Sequence, residues 1–221
     1  MSQVTNLAYF YETSRKVRGG RAVWVKDSNG ENRKNVLLGG TILNPNKGFG
    51  HLWAAQLVQY TPAKGCLIFR SFEVKSAVGT TIKIKGDGYS DAPEVGMMIM
   101  VAPDDVATTG QSAKVTNVVF DSDKAEFNVT VDTELNANKG DILVEAKGEE
   151  KSATAEVLVP NPNTFIEADR DLLPTEGYGI ENADYAISTV HDKEAWIARM
   201  QPLPKYVLAK NRSYINGIFW I

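Results

Sequence analysis

The sequence predicts a mainly β protein: a sandwich or barrel-like domain with an extended N-terminal arm and one or two short helices. Three observations carry that expectation. Between residues 66 and 146, short apolar segments recur about every 8–14 residues and are cut by Gly, Asp, Asn and Pro, which is the spacing of a sandwich or barrel. The segment Glu-Phe-Asn-Val-Thr-Val at 126–131 alternates, with Phe127, Val129 and Val131 on one face and Glu126, Asn128 and Thr130 on the other. Strand side chains alternate with period two, so the first set is expected inside and the second wet. Finally, Val-Thr-Asn-Val-Val-Phe at 115–120 precedes that segment by the five residues 121–125, all polar or small, which fits a hairpin loop.

Taken in order, residues 1–50 read as an extended basic arm. Glycines at 19, 20, 30, 39, 40, 48 and 50 interrupt every candidate element there. Arg-Ala-Val-Trp-Val-Lys at 21–26 is a plausible strand, closed by the turn Asp27-Ser-Asn-Gly30. The body is expected over 51–221, divisible into a β-core at 66–146 and a C-terminal part at 147–221. Residues 52–60 predict a short helix on propensity, ended by Pro62. Strands are expected at 66–69, 72–74, 80–84, 96–101, 115–120, 127–131 and 141–144. Residues 94–102 and 138–146 echo each other, each launching an apolar strand after a glycine, and we read them as two similar turns into strands. Beyond a charged connection at 147–152, Asn163 or Thr164 is a candidate cap for a helix ended by Pro174. Residues 185–190 alternate like a strand, and Asp192 precedes good helix formers up to Met200. The apolar run at 214–221 needs a packing partner, in its own sheet or in another subunit.

Totals bound the function. At 221 residues, the chain is long enough to bury a real core without disulfides, and the single cysteine, Cys66, excludes an internal one. No apolar run approaches the ~20 residues of a membrane-spanning helix, and the first residues lack the signal-peptide pattern, so a soluble chain is expected. Net charge is −3, but unevenly spread. Residues 1–40 hold seven basic against three acidic residues, and 205–221 three basic and no acidic ones, leaving an acidic middle. Basic residues spread this thinly favour a solvated or partner-docked arm over nucleic-acid binding.

Reaction chemistry does not stand out, and no enzyme, cofactor or metal is expected. His51 and His191 lie far apart without metal-ligand spacing. Gly-Gln-Ser-Ala-Lys at 110–114 fails the nucleophile-elbow pattern at its last position. Cys66 precedes an apolar strand and reads as a small hydrophobe. The loop at 87–94 gathers Asp87, Asp91 and Glu94 without EF-hand spacing, and it reads as a turn, as do Asp121 and Asp123. The residues that invite a partner are in the arm: Tyr9, Phe10, Tyr11, Arg15, Lys16, Arg18 and Trp24, because rigid rings beside guanidinium groups carry docking energy well. Tucking back onto the body is the equal alternative.

From about Ser71 onward the succession Thr-Thr-Ile-Lys-Ile-Lys-Gly at 80–86, Val-Gly-Met-Met-Ile at 95–99, Lys-Gly-Asp-Ile-Leu at 139–143, Pro-Asn-Pro-Asn-Thr-Phe at 160–165 and a closing Gly-Ile-Phe-Trp-Ile resembles head-fibre and capsid-decoration proteins of tailed bacteriophages. The resemblance covers about two-thirds of the chain through short motifs, and the first fifty residues lie outside it. It implies a non-enzymatic virion protein made in the host cytoplasm and placed on the capsid surface, commonly as a trimer. Its implied partners are the major capsid protein or other virion proteins. A tail, baseplate or carbohydrate-binding adhesion module is the alternative, and a hydrolase assembled from distant residues around His51 or His191 a third.

Overall fold

The computed structural model describes residues 36–41, 50–53, 55–61, 65–86, 92–166, 170–172, 184–189, 194–195, 200–209 and 219–220. The first four strands are β1 (Val36–Thr41), β2 (Gly50–Leu52), β3 (Leu57–Thr61) and β4 (Gly65–Ile68). Six more, β5 (Ser71–Val78), β6 (Thr81–Lys85), β7 (Met98–Val101), β8 (Ser112–Asp121), β9 (Glu126–Val131) and β10 (Ile142–Glu145), close into a barrel in the order β10-β5-β6-β9-β8-β7. All six pairings are antiparallel. Closure removes the two edges that an open sheet of these strands would have.

The barrel is filled, as a small barrel must be. Phe72, Val74, Ile82, Ile84, Met97, Ile99, Ala113, Val115, Val129, Val131, Leu135 and Leu143 form one buried cluster, with Phe127 packed against it. The predicted hairpin is present as β8 and β9, and Phe127, Val129 and Val131 face inward as the alternation requires. Glu126 keeps to the outer face yet is only 6% exposed, a correction explained below by the lysines around it. The echo between 94–102 and 138–146 is a repeated turn. Met97 N–H donates to the Glu94 carbonyl and Asp141 N–H to that of Asn138, with Gly96 at φ +92° and Gly140 at φ +90°. That positive φ is open to glycine at little cost, and each turn feeds one of two neighbouring strands, β7 and β10.

Outside the barrel the chain halves pair with each other. β11 (Thr164–Phe165) joins β3 and β4 in a three-stranded sheet, β12 (Arg170–Leu172) pairs with β2, and β13 (Asp184–Thr189) pairs with β1. β14 (Glu194–Ala195) and β15 (Phe219–Trp220) pair in parallel. Successively earlier strands thus meet successively later ones, and the barrel is inserted between the two arms of that ladder. Within the expected arm, 36–41 and Gly50 are strand residues of this ladder, while 1–35 lie outside the described residues.

Three helix expectations are corrected. Residues 52–60 turn at Trp53–Gln56, where Ala55 sits at φ +62° and the Gln56 side chain accepts from Trp53 N–H at 3.1 Å, and then run on as β3. Propensity for helix loses to pairing with β4 and β11. Asn163 caps no helix. Its side-chain amide brackets Tyr60, accepting from the N–H at 2.8 Å and donating to the carbonyl at 2.9 Å, so it extends the β3 ladder, and β11 and β12 follow. Glu194 and Ala195 are likewise strand. Among the described residues the helix is one turn, α1 (Lys205–Leu208), begun by Pro204.

That turn belongs to a second core on the outer face of β7 and β10. Met98, Met100, Val144 and Ala146 meet Ala55, Leu57, Phe69, Val157, Val159, Met200, Leu203, Tyr206 and Val207 there. Phe69 and Tyr206 make an edge-on ring contact at 6.5 Å. Since β7 and β10 carry apolar side chains on both faces, they read as apolar runs, broken in β10 only by its last residue, Glu145. Phe72→Ala, which empties the middle of the barrel, is expected to lower unfolding free energy by about 3–5 kcal/mol in a denaturant titration.

Candidate functional site

Arg70 stands between β4 and β5, one residue before a strand whose inward positions are Phe72 and Val74. By alternation its side chain shares their side of the sheet. Glu145 ends β10 with the parity of inward Leu143, and the β5–β10 register places the two residues opposite each other. The outcome is a bidentate pair: Arg70 Nε donates to Glu145 Oε2 at 2.9 Å and an Nη donates to Oε1 at 2.8 Å. The remaining Nη donates to Glu94 Oε1 at 3.0 Å. Arg70 and Glu145 are 1% and 2% exposed, whereas the Glu94 side chain is 25% exposed. A planar guanidinium matches two carboxylates in this fork geometry, and burial makes the match obligatory because an unpaired charge there is very costly.

This charge cluster closes one mouth of the barrel and ties it to the second core. Phe69 N–H donates to the Leu57 carbonyl, and the Phe69 carbonyl accepts from Gln201 Nε2 at 2.9 Å. Ser71 Oγ donates to the Pro202 carbonyl at 2.5 Å. Three consecutive residues, 69–71, thereby connect β3, the barrel and the C-terminal segment. Glu94, expected in an acidic turn, reaches this cluster, and Asp87 and Asp91 lie outside the described residues.

A second cluster lies on the outer face of β5, β6 and β9. Glu126 is covered by Lys83, whose Nζ is 3.3 Å from Oε1, and by Lys75, 3.6 Å from Oε2. Oε1 is buried and accepts no hydrogen bond, so the Lys83 charge is its compensation. Lys75 also donates to the Lys124 carbonyl at 3.2 Å, and Lys85 pairs with Glu73 at 3.1 Å. The aliphatic stems of these lysines shield a carboxylate that the alternation pattern places in water.

The expected turn residues do form a turn. Asp121 Oδ1 accepts from the N–H groups of Asp123 and Lys124 at 3.1 and 3.2 Å, and Lys124 Nζ donates to Oδ2 at 3.0 Å. That lysine holds the exposed Asp121 carboxyl below its usual range. At the same end Phe120 and Phe127 pair with centroids 4.8 Å apart, and Gly86 lies so close that a Cβ there would meet the Phe120 ring at 2.9 Å.

The remaining candidates take structural places or fall outside the described residues. Cys66 is fully buried, and burial pushes its thiol up to about 11. The neutral thiol therefore contributes stability below its ordinary value of 9.0 that is lost as pH rises towards 11. Ser112 N–H donates to the Ser152 carbonyl at 2.8 Å, and its Oγ accepts from Ser152 N–H at 3.0 Å. His51 lies in β2 opposite Asp171, and His191 is outside the described residues. Tyr9, Phe10, Tyr11, Arg15, Lys16, Arg18 and Trp24 are all outside them as well. Among the described residues no three His, Cys, Asp or Glu side chains converge as metal ligands. What sequence reading missed is the Arg70 cluster. Its available signal was an arginine set at an inward position between two apolar strands.

Comparison with protein-family models, curated proteins and solved structures finds no match. Glu145→Gln is expected to cost about 3–5 kcal/mol in chemical denaturation, because it leaves Arg70 buried against half a partner. Arg70→Met alone should be similarly damaging, and pairing it with Glu145→Leu should recover most of that loss.

Proposed function

We propose that the chain is a structural virion protein, a capsid-associated head-fibre or decoration protein that docks on a bacteriophage shell. The observation that carries this reading is where the motifs of the family resemblance fall. Residues 80–86 contain β6 and the glycine beneath Phe120, 95–99 the Gly96 turn into β7, 139–143 the Gly140 turn into β10, and 160–165 the connection into β11. These are the residues that set the path of the chain, so the resemblance concerns the scaffold and not isolated surface positions. The buried charges fit the same purpose, because Arg70, Glu94 and Glu145 are engaged with one another in holding the barrel to its flanking core.

In this reading the barrel is a rigid mount and the basic, aromatic N-terminal residues make the attachment to the major capsid protein or to another virion protein. A homotrimer is the favoured assembly. The adhesion-module alternative calls for aromatic rings presented on the rim. Among the side chains described, Trp53, Phe69, Phe72 and Tyr206 are buried, Tyr60, Phe120 and Phe127 are half-buried, and no ring is fully exposed. Deleting residues 1–20 is expected to abolish co-sedimentation with purified phage heads while the circular dichroism of the β-body stays unchanged. Undiminished binding by the truncated protein contradicts the proposal.

A further inference from the structure

We infer that the barrel opens as one body, because its two halves hold each other's third strand. The six strands fall into two sets with one plan: β5, β6 and β7, then β8, β9 and β10. In each set two strands form a hairpin with one register shift, between Val74 and Ser76 in β5 and between Val115 and Asn117 in β8. Each set then passes through a glycine turn into its third strand.

The correspondence extends to single bonds. Gly96 N–H donates to the Val115 carbonyl and Val115 N–H to that of Met97, both at 2.8 Å. Gly140 N–H donates to the Val74 carbonyl at 2.8 Å, and Val74 N–H to that of Asp141 at 2.9 Å. Ala102 N–H reaches the Ile142 carbonyl and Ala146 N–H the Met98 carbonyl, each at 2.8 Å. Two pairings map onto themselves, Ile82 opposite Val129 and Met100 opposite Val144, so a pseudo-two-fold axis passes between each pair. Equivalent residues fill the interior: Phe72 and Ala113, Val74 and Val115, Ile82 and Val129, Ile84 and Val131, Ile99 and Leu143. They make up ten of the twelve members of that buried cluster, so the plan governs the core. The outer face departs from it, with Lys75, Lys83 and Lys85 where the second set has Thr116, Thr130 and Asp132.

The third strands are exchanged. β7 follows β6 in the chain but pairs with β8 and β10, and β10 follows β9 but pairs with β5 and β7. Of the six pairings, β5–β6 and β8–β9 lie within a set, and the other four join the two sets. A set on its own would keep one hairpin, which is marginal in water, and a third strand without a partner. Releasing either set therefore breaks four pairings and uncovers the core from both sides. Opening one set alone has no stable product. The inference concerns the barrel and does not rest on the docking reading.

Native-state hydrogen exchange of the full chain by NMR tests it, at low denaturant where exchange follows the opening equilibria. Wild type is compared with Ile84→Val and Val131→Ala, which remove buried methyl groups from the first and second set respectively. Both changes are small enough to leave the fold in place, which circular dichroism checks. In wild type the slowest amides of the β5–β6 and β8–β9 hairpins are expected to share one protection factor. Ile84→Val should lower protection about two- to tenfold in its own hairpin, and by the same factor in β8–β9. Val131→Ala should likewise lower both hairpins by a common factor. Two protection classes divided by set in wild type would overturn the inference. So would a substitution whose effect stays within its own hairpin.

Discussion

The fold depends on one buried guanidinium. Arg70 is among the largest fully buried side chains of the described residues, and it sits where the barrel, the flanking three-stranded sheet and the C-terminal segment converge. A buried arginine has a single acceptable outcome, which is to have its fork filled. Glu145 fills it from the end of β10, and Glu94 reaches it from the turn before β7. Those two strands are neighbours, so satisfying Arg70 fixes the barrel seam where β10 joins β5 and β7. Apolar packing alone would tolerate a slip of two residues along such a seam, whereas a bidentate pair specifies one register.

The same interaction shapes the surface. Glu94 draws the approach to β7 towards Arg70, and a glycine at φ +92° allows the departure from β8. A free strand edge is left where β7 would otherwise have continued. Among the described residues the barrel therefore keeps two short stretches paired on one side, the end of β8 after the Gly96 turn and the end of β5 after the Gly140 turn.

Much of this was legible in the sequence, for identifiable reasons. All six barrel strands coincide with segments picked out by alternation or by short apolar runs, because period two and turn residues act locally. The Gly96 and Gly140 turns were visible as an echo. The sequence predicts helices at 52–60, 163–173 and 192–200 because propensity is local too, while strand partners elsewhere in the chain decide the outcome, as at Asn163 and Tyr60, about a hundred residues apart. Glu126 was placed on the correct face but not under its lysines, since alternation reports direction and not coverage. An arginine at an inward position could be noticed at residue 70. Nothing in the sequence said which of the 27 acidic residues would answer it, because that choice follows from barrel closure.

If the Arg70 pair is the constraint on which the rest depends, its Nε–H proton must be as sheltered as the barrel core. Hydrogen exchange of that group, followed by 1H–15N NMR near neutral pH in the full chain, measures this directly. The account predicts a resolved Arg70 Nε–H signal that exchanges on the timescale of the core amides of β5 and β10. Exchange as fast as that of a solvent-exposed arginine, with those amides still protected, would contradict it.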